Sequence, residues 1–326
     1  KILFIRCKVV NLLILSAGTN AAFHFIRTIK NNFQDKIRVI GVDINEKHTI
    51  ASSIFLDSFY MAPLSSDEKY YGFILNICKK ERIDYLMPIL DIDQIMFYKE
   101  NLDLNEINVK VLGLSKKVAC LYADKEKMNV FLAKNHFLVP KSFSLENIKD
   151  NEIYFIKPKK GYGSIGADIK LGADIKKIND ICNFLIQEIC SGPEYTVECF
   201  RYQKFISCIT RERIQAKSGV CVKAKVCHMD EIEKMVKKIA QIIPECPMFF
   251  NVQFMKNREN RFVITDINLR LAGGMSISKT AGWDEASAIA HVLLGSDLDK
   301  IESCFGFSHK ECFVMRAYCD YITECN

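Results

Sequence analysis

The sequence predicts an α/β protein that begins with a parallel sheet and continues with antiparallel hairpins. Two observations predict this fold class. Short apolar strands alternate with helical patterns up to about residue 114. From about residue 153 onward, strand-like runs are separated by polar turns, most clearly between Asn251 and Gly274. The 326 residues, 49% of them hydrophobic, are enough for two or three lobes around a sizeable core.

Composition and charge argue against several classes of function. The net charge is +6 without a dense block of Lys and Arg, so no nucleic acid partner is expected, and a small anionic ligand fits equally well. The apolar run Val9–Leu15 is too short to span a membrane, so no membrane partner is expected. The 14 cysteines form no C-x-x-C or zinc spacing, which favours reduced thiols in a cytoplasmic protein. Residues 1–8 are either a native start or a short extra leader.

The first elements should form the parallel sheet. Strands are predicted at Val9–Leu15, Ile37–Val42, Tyr85–Leu90 and Val109–Leu114, with helices at 21–30 and Tyr70–Glu81. Only Gly18 is present of the dinucleotide pattern G-x-G-x-x-G, so Asp43 either binds a ribose or simply ends a strand. Asp91 and Asp93 follow another strand end, where α/β sheets bind ligands, but a helix cap with a first-turn acid explains them equally well.

The later elements begin after a boundary near Ser115. A helix is predicted at Ala123–Phe137, with Asp124 as its cap. Further strands are predicted at Ile153–Lys157, Ala167–Leu171, Tyr195–Phe200, Phe205–Arg211 and Cys312–Tyr321, and further helices at Ile178–Phe184, Asp230–Ile243 and Ala286–Leu294. Leu185–Cys190 is expected to be an extended linker with unpaired backbone groups, and Ile214–Gly219 a polar loop.

A glycine-rich segment lies between two of these strands. Gly161, Gly163 and Gly166 make a flexible hairpin loop whose backbone N–H groups can approach phosphates. Three lysines add positive charge beside it: Lys157, Lys159 and Lys160. The G-K-[ST] of a Walker loop is absent, and an ordinary turn is the alternative.

The hairpin at Asn251–Gly274 gathers oxygen ligands. If its polar turn closes at the midpoint, Gln253 faces Asp266, with the two side chains about 5 Å apart. Asn268 shares the face of Asp266, and Arg270 follows just beyond. Carboxylate and amide oxygens suit Mg²⁺, whereas a solvated polar surface is the alternative interpretation.

Arginines, rather than a protein nucleophile, are the other candidate catalytic groups. Arg211 and Arg213 lie two residues apart on a predicted strand, and paired arginines suit a planar carboxylate or a phosphate. A solvated edge strand is the alternative. The six histidines are not clustered, and no Ser-His-Asp or Cys-His arrangement is recognisable.

Five motifs in this order resemble the ATP-grasp superfamily, in particular its carbamoyl-phosphate-synthase-like members and stand-alone carboxylate–amine ligases. They are Asp124-Lys125, Lys157-Pro158 with Gly161-Tyr162-Gly163-Ser164, Gln187-Glu188 with Glu194-Tyr195-Thr196-Val197-Glu198, Asn251-Val252-Gln253-Phe254, and Asp266-Ile267-Asn268-Leu269-Arg270. The resemblance implies a Rossmann-like pre-ATP-grasp lobe at 1–114 and a two-lobed ATP-grasp domain at 115–326. Its small ATP-covering lobe would span about 123–187, and its large metal-binding lobe about 188–326.

The resemblance also implies a role for each motif residue. The cofactor-binding set would be Lys125 and Lys157 on the α/β-phosphates, the loop with Gly161, Gly163 and Ser164 over them, Glu188 and Cys190 at the adenine, and Glu194 at the ribose. The metal set would be Gln253, Asp266 and Asn268 around one or two Mg²⁺ ions, which Mn²⁺ could replace. The catalytic set would be Arg270 at the transferred phosphoryl group, with Arg211 and Arg213 at the intermediate or the substrate carboxylate.

By the same resemblance, the chain would be a ligase that uses ATP and Mg²⁺. It would activate a small carboxylate, such as an amino acid, as an acyl phosphate and join it to an amine, releasing ADP and phosphate. The family usually has Glu at Asp266 and Pro at Leu269, and the shorter Asp leaves the number of metal ions open. The alternatives are a catalytically impaired nucleotide-binding regulator and a phosphotransferase or carboxylase-type enzyme. Analogy also suggests a homodimer.

Overall fold

The computed structural model describes residues 9–94, 104–161, 165–217 and 219–324. Its amino-terminal part is a five-stranded parallel sheet in the order β3-β2-β1-β4-β5. The elements are β1 (Val10–Leu15), α1 (Asn20–Phe33), β2 (Ile37–Asp43), β3 (Ser58–Met61), α2 (Tyr70–Lys80), β4 (Tyr85–Met87) and β5 (Lys110–Val111). The central strands are almost entirely buried, as expected for a parallel sheet covered on both faces.

Two strands of this sheet are shorter than the sequence predicts. The strand predicted at Tyr85–Leu90 ends at Met87, because Pro88 follows and has no N–H to donate to a neighbouring strand. The strand predicted at Val109–Leu114 is reduced to β5. After the early end of β4, residues 91–94 are helical at the carboxyl edge of the sheet, and Asp93 accepts from the N–H of Leu90, which favours the helix-cap interpretation of this acid.

A four-stranded antiparallel sheet follows, in the order β6-β9-β7-β8. Its elements and the helices before it are α3 (Lys116–Tyr122), α4 (Lys125–Lys134), β6 (Ser142–Phe143), β7 (Ile153–Pro158), β8 (Asp168–Leu171), α5 (Gly172–Ile175) and β9 (Phe184–Gln187).

Two predictions in this region are wrong. The helix predicted at Ile178–Phe184 is a 3₁₀ turn at Ile181–Asn183 that leads directly into β9. Leu185–Gln187, predicted to be linker, is strand, since β9 lies between β6 and β7 and its backbone groups belong to both ladders. Burial of Ile186 between its neighbours favours the strand, and the short apolar run alone does not distinguish the two structures.

The last sheet has six strands in the order β14-β13-β10-β11-β12-β15. Its strands are β10 (Ser191–Tyr202), β11 (Phe205–Lys217), β12 (Val220–Cys227), β13 (Phe249–Lys256), β14 (Phe262–Asn268) and β15 (Glu311–Met315), and its helices are α6 (Asp230–Ile242), α7 (Met275–Thr280), α8 (Glu285–Leu293) and α9 (Leu298–Glu302). The loop predicted at Ile214–Gly219 is mostly strand, because β11 and β12 form one long hairpin. The final strand stops at Met315 rather than Tyr321.

One hydrophobic core joins the parallel sheet to the six-stranded sheet. Leu12 and Phe25 of the first lobe belong to the same buried cluster as Phe200 of β10, Ile289 of α8 and Trp283, which precedes α8. The four-stranded sheet has a separate, small cluster. Within the described residues, no helix is long and apolar enough to cross a membrane.

Candidate functional site

The hairpin of β13 and β14 has the predicted register. Gln253 pairs with Asp266, and Asn251 pairs with Asn268, which confirms that the three oxygen-bearing side chains lie at one end of the hairpin. Asn268 is buried, and its amide donates to Asn251 Oδ1 over 3.4 Å. The register shifts beyond Gln253, so that Thr265 has no partner residue on β13.

This β-bulge connects the four-stranded sheet to the hairpin. The Nζ of Lys157, from the end of β7, donates to the free carbonyl oxygen of Thr265 over 2.7 Å. Lys157 is 9% exposed, and burial lowers its pKa although nearby Asp266 opposes that effect. A buried cation therefore lies directly beside the candidate metal ligands.

Lys125 reaches the glycine loop from the other side. Its Nζ donates to the carbonyl oxygen of Gly161, and its backbone N–H donates to the carbonyl oxygen of Lys159 over 2.9 Å. It is the first residue of α4, which Asp124 caps by accepting from two backbone N–H groups. Gly161 has φ +132°, which only glycine adopts easily. Gly163 and Ser164 lie outside the described residues.

Arg270 is oriented by a carboxylate from the first lobe. Its Nε donates to Asp91 Oδ1 over 3.1 Å, and the hydroxyl of Tyr122 donates to the same oxygen over 2.6 Å. Burial acts to lower the pKa of Arg270, but Asp91, Tyr122 and Asp266 together raise it. Its Nη2 also donates to Asn268 Oδ1 over 3.3 Å. The sequence indicated Asp91 only by its place after a strand, and it carried no signal for Tyr122.

Arg211 and Arg213 bind different carboxylates. Arg211 is 2% exposed, and its Nε donates to the equally buried Glu198. The guanidinium of Arg211 lies directly against Gly274, in the loop that follows Arg270. Arg213 forms an ion pair with Glu194, the residue expected at the ribose. The predicted pair of arginines is therefore divided between a buried position and a more accessible one.

The segment after β9 contains the residues expected at the adenine. The backbone N–H of Glu188 donates to the carbonyl oxygen of Lys141 over 2.9 Å. In return, the backbone N–H of Lys141 donates to the carboxylate of Glu188 over 2.8 Å. Cys190 is half-buried, and burial raises the pKa of its thiol to about 11. The positive charge of Lys157 opposes that rise.

In the first lobe, Asp43 holds a loop closed through its hydrogen bonds. Its Oδ2 accepts from the N–H of Gly18 over 2.6 Å, and its Oδ1 accepts from the backbone and side chain of Asn45. A Cβ at Gly18 would lie 2.9 Å from Asp43 Oδ2, so the close approach requires glycine. These contacts favour the structural interpretation of Asp43 over ribose binding.

The donor set of the hairpin fits a hard divalent cation. It combines one carboxylate, Asp266, with the amide oxygens of Gln253 and Asn268. No hydrogen bond to the Asp266 carboxylate occurs within the described ranges, so its oxygens are available. Those ranges contain no group of three or more His, Cys, Asp or Glu side chains that could hold a metal ion.

Two family models match the chain in succession. Residues 12–112 match "PylC-like, N-terminal domain", and residues 180–311 match "ATP-grasp in the biosynthetic pathway with Ter operon". Among curated proteins, no sequence match was found.

Solved structures with the same fold cover most of this chain. N5-carboxyaminoimidazole synthetase from Staphylococcus aureus aligns with a TM-score of 0.71 and 15% identity, over 90% of this chain and 79% of that one. L-amino acid ligase from Bacillus licheniformis aligns with a TM-score of 0.69 and 12% identity, over 90% and 76%. Biotin carboxylase from Campylobacter jejuni aligns with a TM-score of 0.71 and 14% identity, over 91% and 73%.

The order of the sheets, the two family matches and the motif residues agree with one another. The parallel sheet coincides with the PylC-like match, and the six-stranded sheet with the ATP-grasp match. The chain therefore has the fold of these ATP-grasp neighbours, with an ATP-grasp match over residues 180–311 and a PylC-like match over residues 12–112.

Proposed function

We propose that this chain is an ATP- and Mg²⁺-dependent carboxylate–amine ligase. The observation that carries the proposal is the bulge at Thr265, which holds the buried cation of Lys157 beside Asp266. Lys157 and a metal ion held by Asp266 would together suit the ATP phosphate chain, because its negative charge would interact with both. Arg270, two residues beyond Asn268, completes this arrangement.

The chain's own residues would hold ATP between the small lobe, about 123–187, and the large lobe, about 188–326. Lys125 and Lys157 would bind the α/β-phosphates, with the loop of Gly161, Gly163 and Ser164 above them. Glu188 and Cys190 would hold the adenine through the backbone. Glu194 would reach the ribose by exchanging its contact with Arg213.

Gln253, Asp266 and Asn268 would hold Mg²⁺, which when bound supplies positive charge to the phosphate oxygens. Arg270 is fixed by Asp91 and would bind the phosphoryl group during transfer. Burial of Arg211 against Glu198 suits a positioning role beneath the loop at Gly274.

The proposed reaction has two steps. A substrate carboxylate oxygen attacks the γ-phosphorus, the bond to ADP breaks, and an acyl phosphate forms. The amine nitrogen then attacks the acyl carbon, phosphate leaves with the bridging oxygen, and the nitrogen loses a proton. Closure of the small lobe over the site would exclude water, which otherwise hydrolyses the acyl phosphate.

The direct test is ADP release from Mg-ATP with pools of carboxylates and amines, each tested alone and in pairs. Release that requires both pools supports ligation. Release with carboxylates alone indicates an acyl phosphate product or a carboxylase-type reaction. ATP binding without release under any condition favours the regulatory alternative and contradicts the proposal.

The metal site is tested by Asp266→Ala. We expect turnover to fall by about 10²-fold or more, because charge stabilisation at the phosphoryl group is lost, while ATP binding is mostly retained. Glu259→Ala is the matched control, since Glu259 lies exposed in the turn of the same hairpin. Equal ADP release by Asp266→Ala and the wild type would refute this assignment.

A further inference from the structure

A cavity of about 370 Å³ lies in the first lobe, apart from the residues assigned above to ATP. It lies at the carboxyl ends of β1, β2 and β4. In the order β3-β2-β1-β4-β5, the chain goes from β1 to one side of the sheet and later returns to the other side with β4. The crevice at such a change of direction is where open α/β sheets bind ligands.

The cavity has a distinctive chemical lining. Two of its residues, Asp43 and Asp93, are acids, and none is Lys, Arg or His among the described residues. Thr19, Ser65 and Ser66 contribute hydroxyl groups, while Val42, Leu90 and Ile92 are among the apolar residues of the wall. The lining therefore offers acceptors and hydrocarbon surface, but no cation to neutralise an anion.

Tyr70 supplies a free polar group to this cavity. Its side chain is 3% exposed, yet no hydrogen bond to its hydroxyl occurs within the described part of the chain. Burial raises the pKa of Tyr70, and Asp93 and Asp43 raise it further, which indicates a negative electrostatic field at the hydroxyl. Such a field repels phosphates and carboxylates and attracts an ammonium group or an N–H donor.

The cavity is also connected to the phosphoryl site. Asp93 accepts from the hydroxyl of Ser16 over 2.7 Å and from the N–H of Leu90 over 3.0 Å, which fixes the helical stretch at residues 91–94. Asp91, two residues earlier, binds Arg270. A ligand in the cavity would therefore lie one short turn away from the arginine proposed to bind the phosphoryl group.

We propose that this cavity binds the amine substrate, and that this substrate is a small amine with a hydrocarbon body and no anionic group at the end that enters the cavity. The role of this amine as a substrate rests on the proposed ligase function. The binding itself is independent of ATP turnover, so it can be measured even if no ligation is found.

The test is isothermal titration of the full chain, without ATP, against matched probes. The probes are 1,4-diaminobutane and leucinamide as amines, 1-butanol as the uncharged analogue, and butyrate and ribose 5-phosphate as anions. We expect the amines to bind at least tenfold more tightly than the alcohol and the anions to bind weakest. Absence of amine binding at millimolar concentration, or anions binding as tightly as amines, would overturn the proposal.

Substitutions in the cavity wall test whether the amine binds there. Ser66→Trp should fill the cavity and weaken amine binding by tenfold or more, whereas Glu68→Trp, on the same exposed loop but outside the lining, should not. Tyr70→Phe should weaken it several-fold, with Tyr85→Phe, which lies outside the lining, as the control. Equal binding by the wild type and Ser66→Trp would place the amine elsewhere and refute the proposal. Amine binding without any ligation would refute the proposed function but not the site.

Discussion

Gly274 shows how a single residue supports the site. A Cβ at this position would lie 2.3 Å from Arg211 Nη1, because the guanidinium bound to Glu198 runs directly beneath the glycine. Arg211 and Glu198 are both buried, so neither can move aside without breaking a buried ion pair. At the neighbouring Gly273, a Cβ would have no other atom within 4 Å.

We therefore expect Gly274→Ala to lower the free energy of unfolding by about 2–4 kcal/mol, as disruption of a buried charged pair does. Gly273→Ala should change it by less than about 1 kcal/mol. Urea denaturation followed by circular dichroism measures both variants. Equal effects of the two substitutions would show that the contact with Arg211 does not determine the choice of glycine.

Asp93 predicts a specific pH dependence. Burial raises its pKa from 3.8 to about 6, despite the hydrogen bond from Ser16 and the backbone, which lower it. Between these pH values the folded chain keeps a proton that the unfolded chain has released. The contribution of Asp93 to the free energy of unfolding therefore falls as the pH rises from about 4 to about 6, by about 3 kcal/mol in total.

Asp93→Asn should remove this dependence, so the variant should gain stability relative to the wild type between pH 4 and pH 7. His24 has the opposite sign, since burial, followed by Arg316, lowers its pKa to about 4 and its contribution rises with pH. Because both proteins keep His24, its effect cancels in the difference. A difference in unfolding free energy that is independent of pH would contradict the raised pKa.

At the scale of the element, the start of α4 would connect helix stability to the proposed nucleotide binding. Asp124 accepts from the N–H groups of Glu126 and Lys127 over 2.9 and 3.3 Å. Asp124→Ala should cost about 1 kcal/mol of stability and raise the KM for ATP, since Lys125 would lose its fixed position. Asp124→Asn keeps the cap and should change both quantities much less. An unchanged KM in Asp124→Ala would exclude this connection.

At the scale of the whole molecule, the distribution of buried residues predicts unequal local stability. The parallel and six-stranded sheets share one core, whereas the four-stranded sheet has its own cluster of five buried residues: Ile148, Tyr154, Ile156, Ile175 and Ile186. Hydrogen exchange should be faster in β7–β9 than in β10–β13, and Mg-ATP should slow it in β7–β9. Uniform exchange over both sheets would contradict this division.

The sequence by itself determined the strands, helices and register that depend on local patterns. Alternation of apolar and polar residues placed Gln253 opposite Asp266, because side chains on a strand alternate with a period of two. The parallel first lobe follows from short apolar runs separated by helices, and the order of motifs indicated the superfamily. Such patterns predict structure from the sequence because the residues that interact belong to the same element or to two consecutive elements.

Only the tertiary structure decided how distant groups meet. Asp91 and Arg270 are 179 residues apart, and their contact depends on how the first lobe packs against the large sheet. The β-bulge that leaves the carbonyl oxygen of Thr265 to accept from Lys157 shifts the register by one residue. The period-two pattern of the strands does not predict this shift. Leu185–Gln187 became a strand because two neighbouring strands supply its hydrogen bonds. In each case the deciding free energy comes from partners that are remote in the chain.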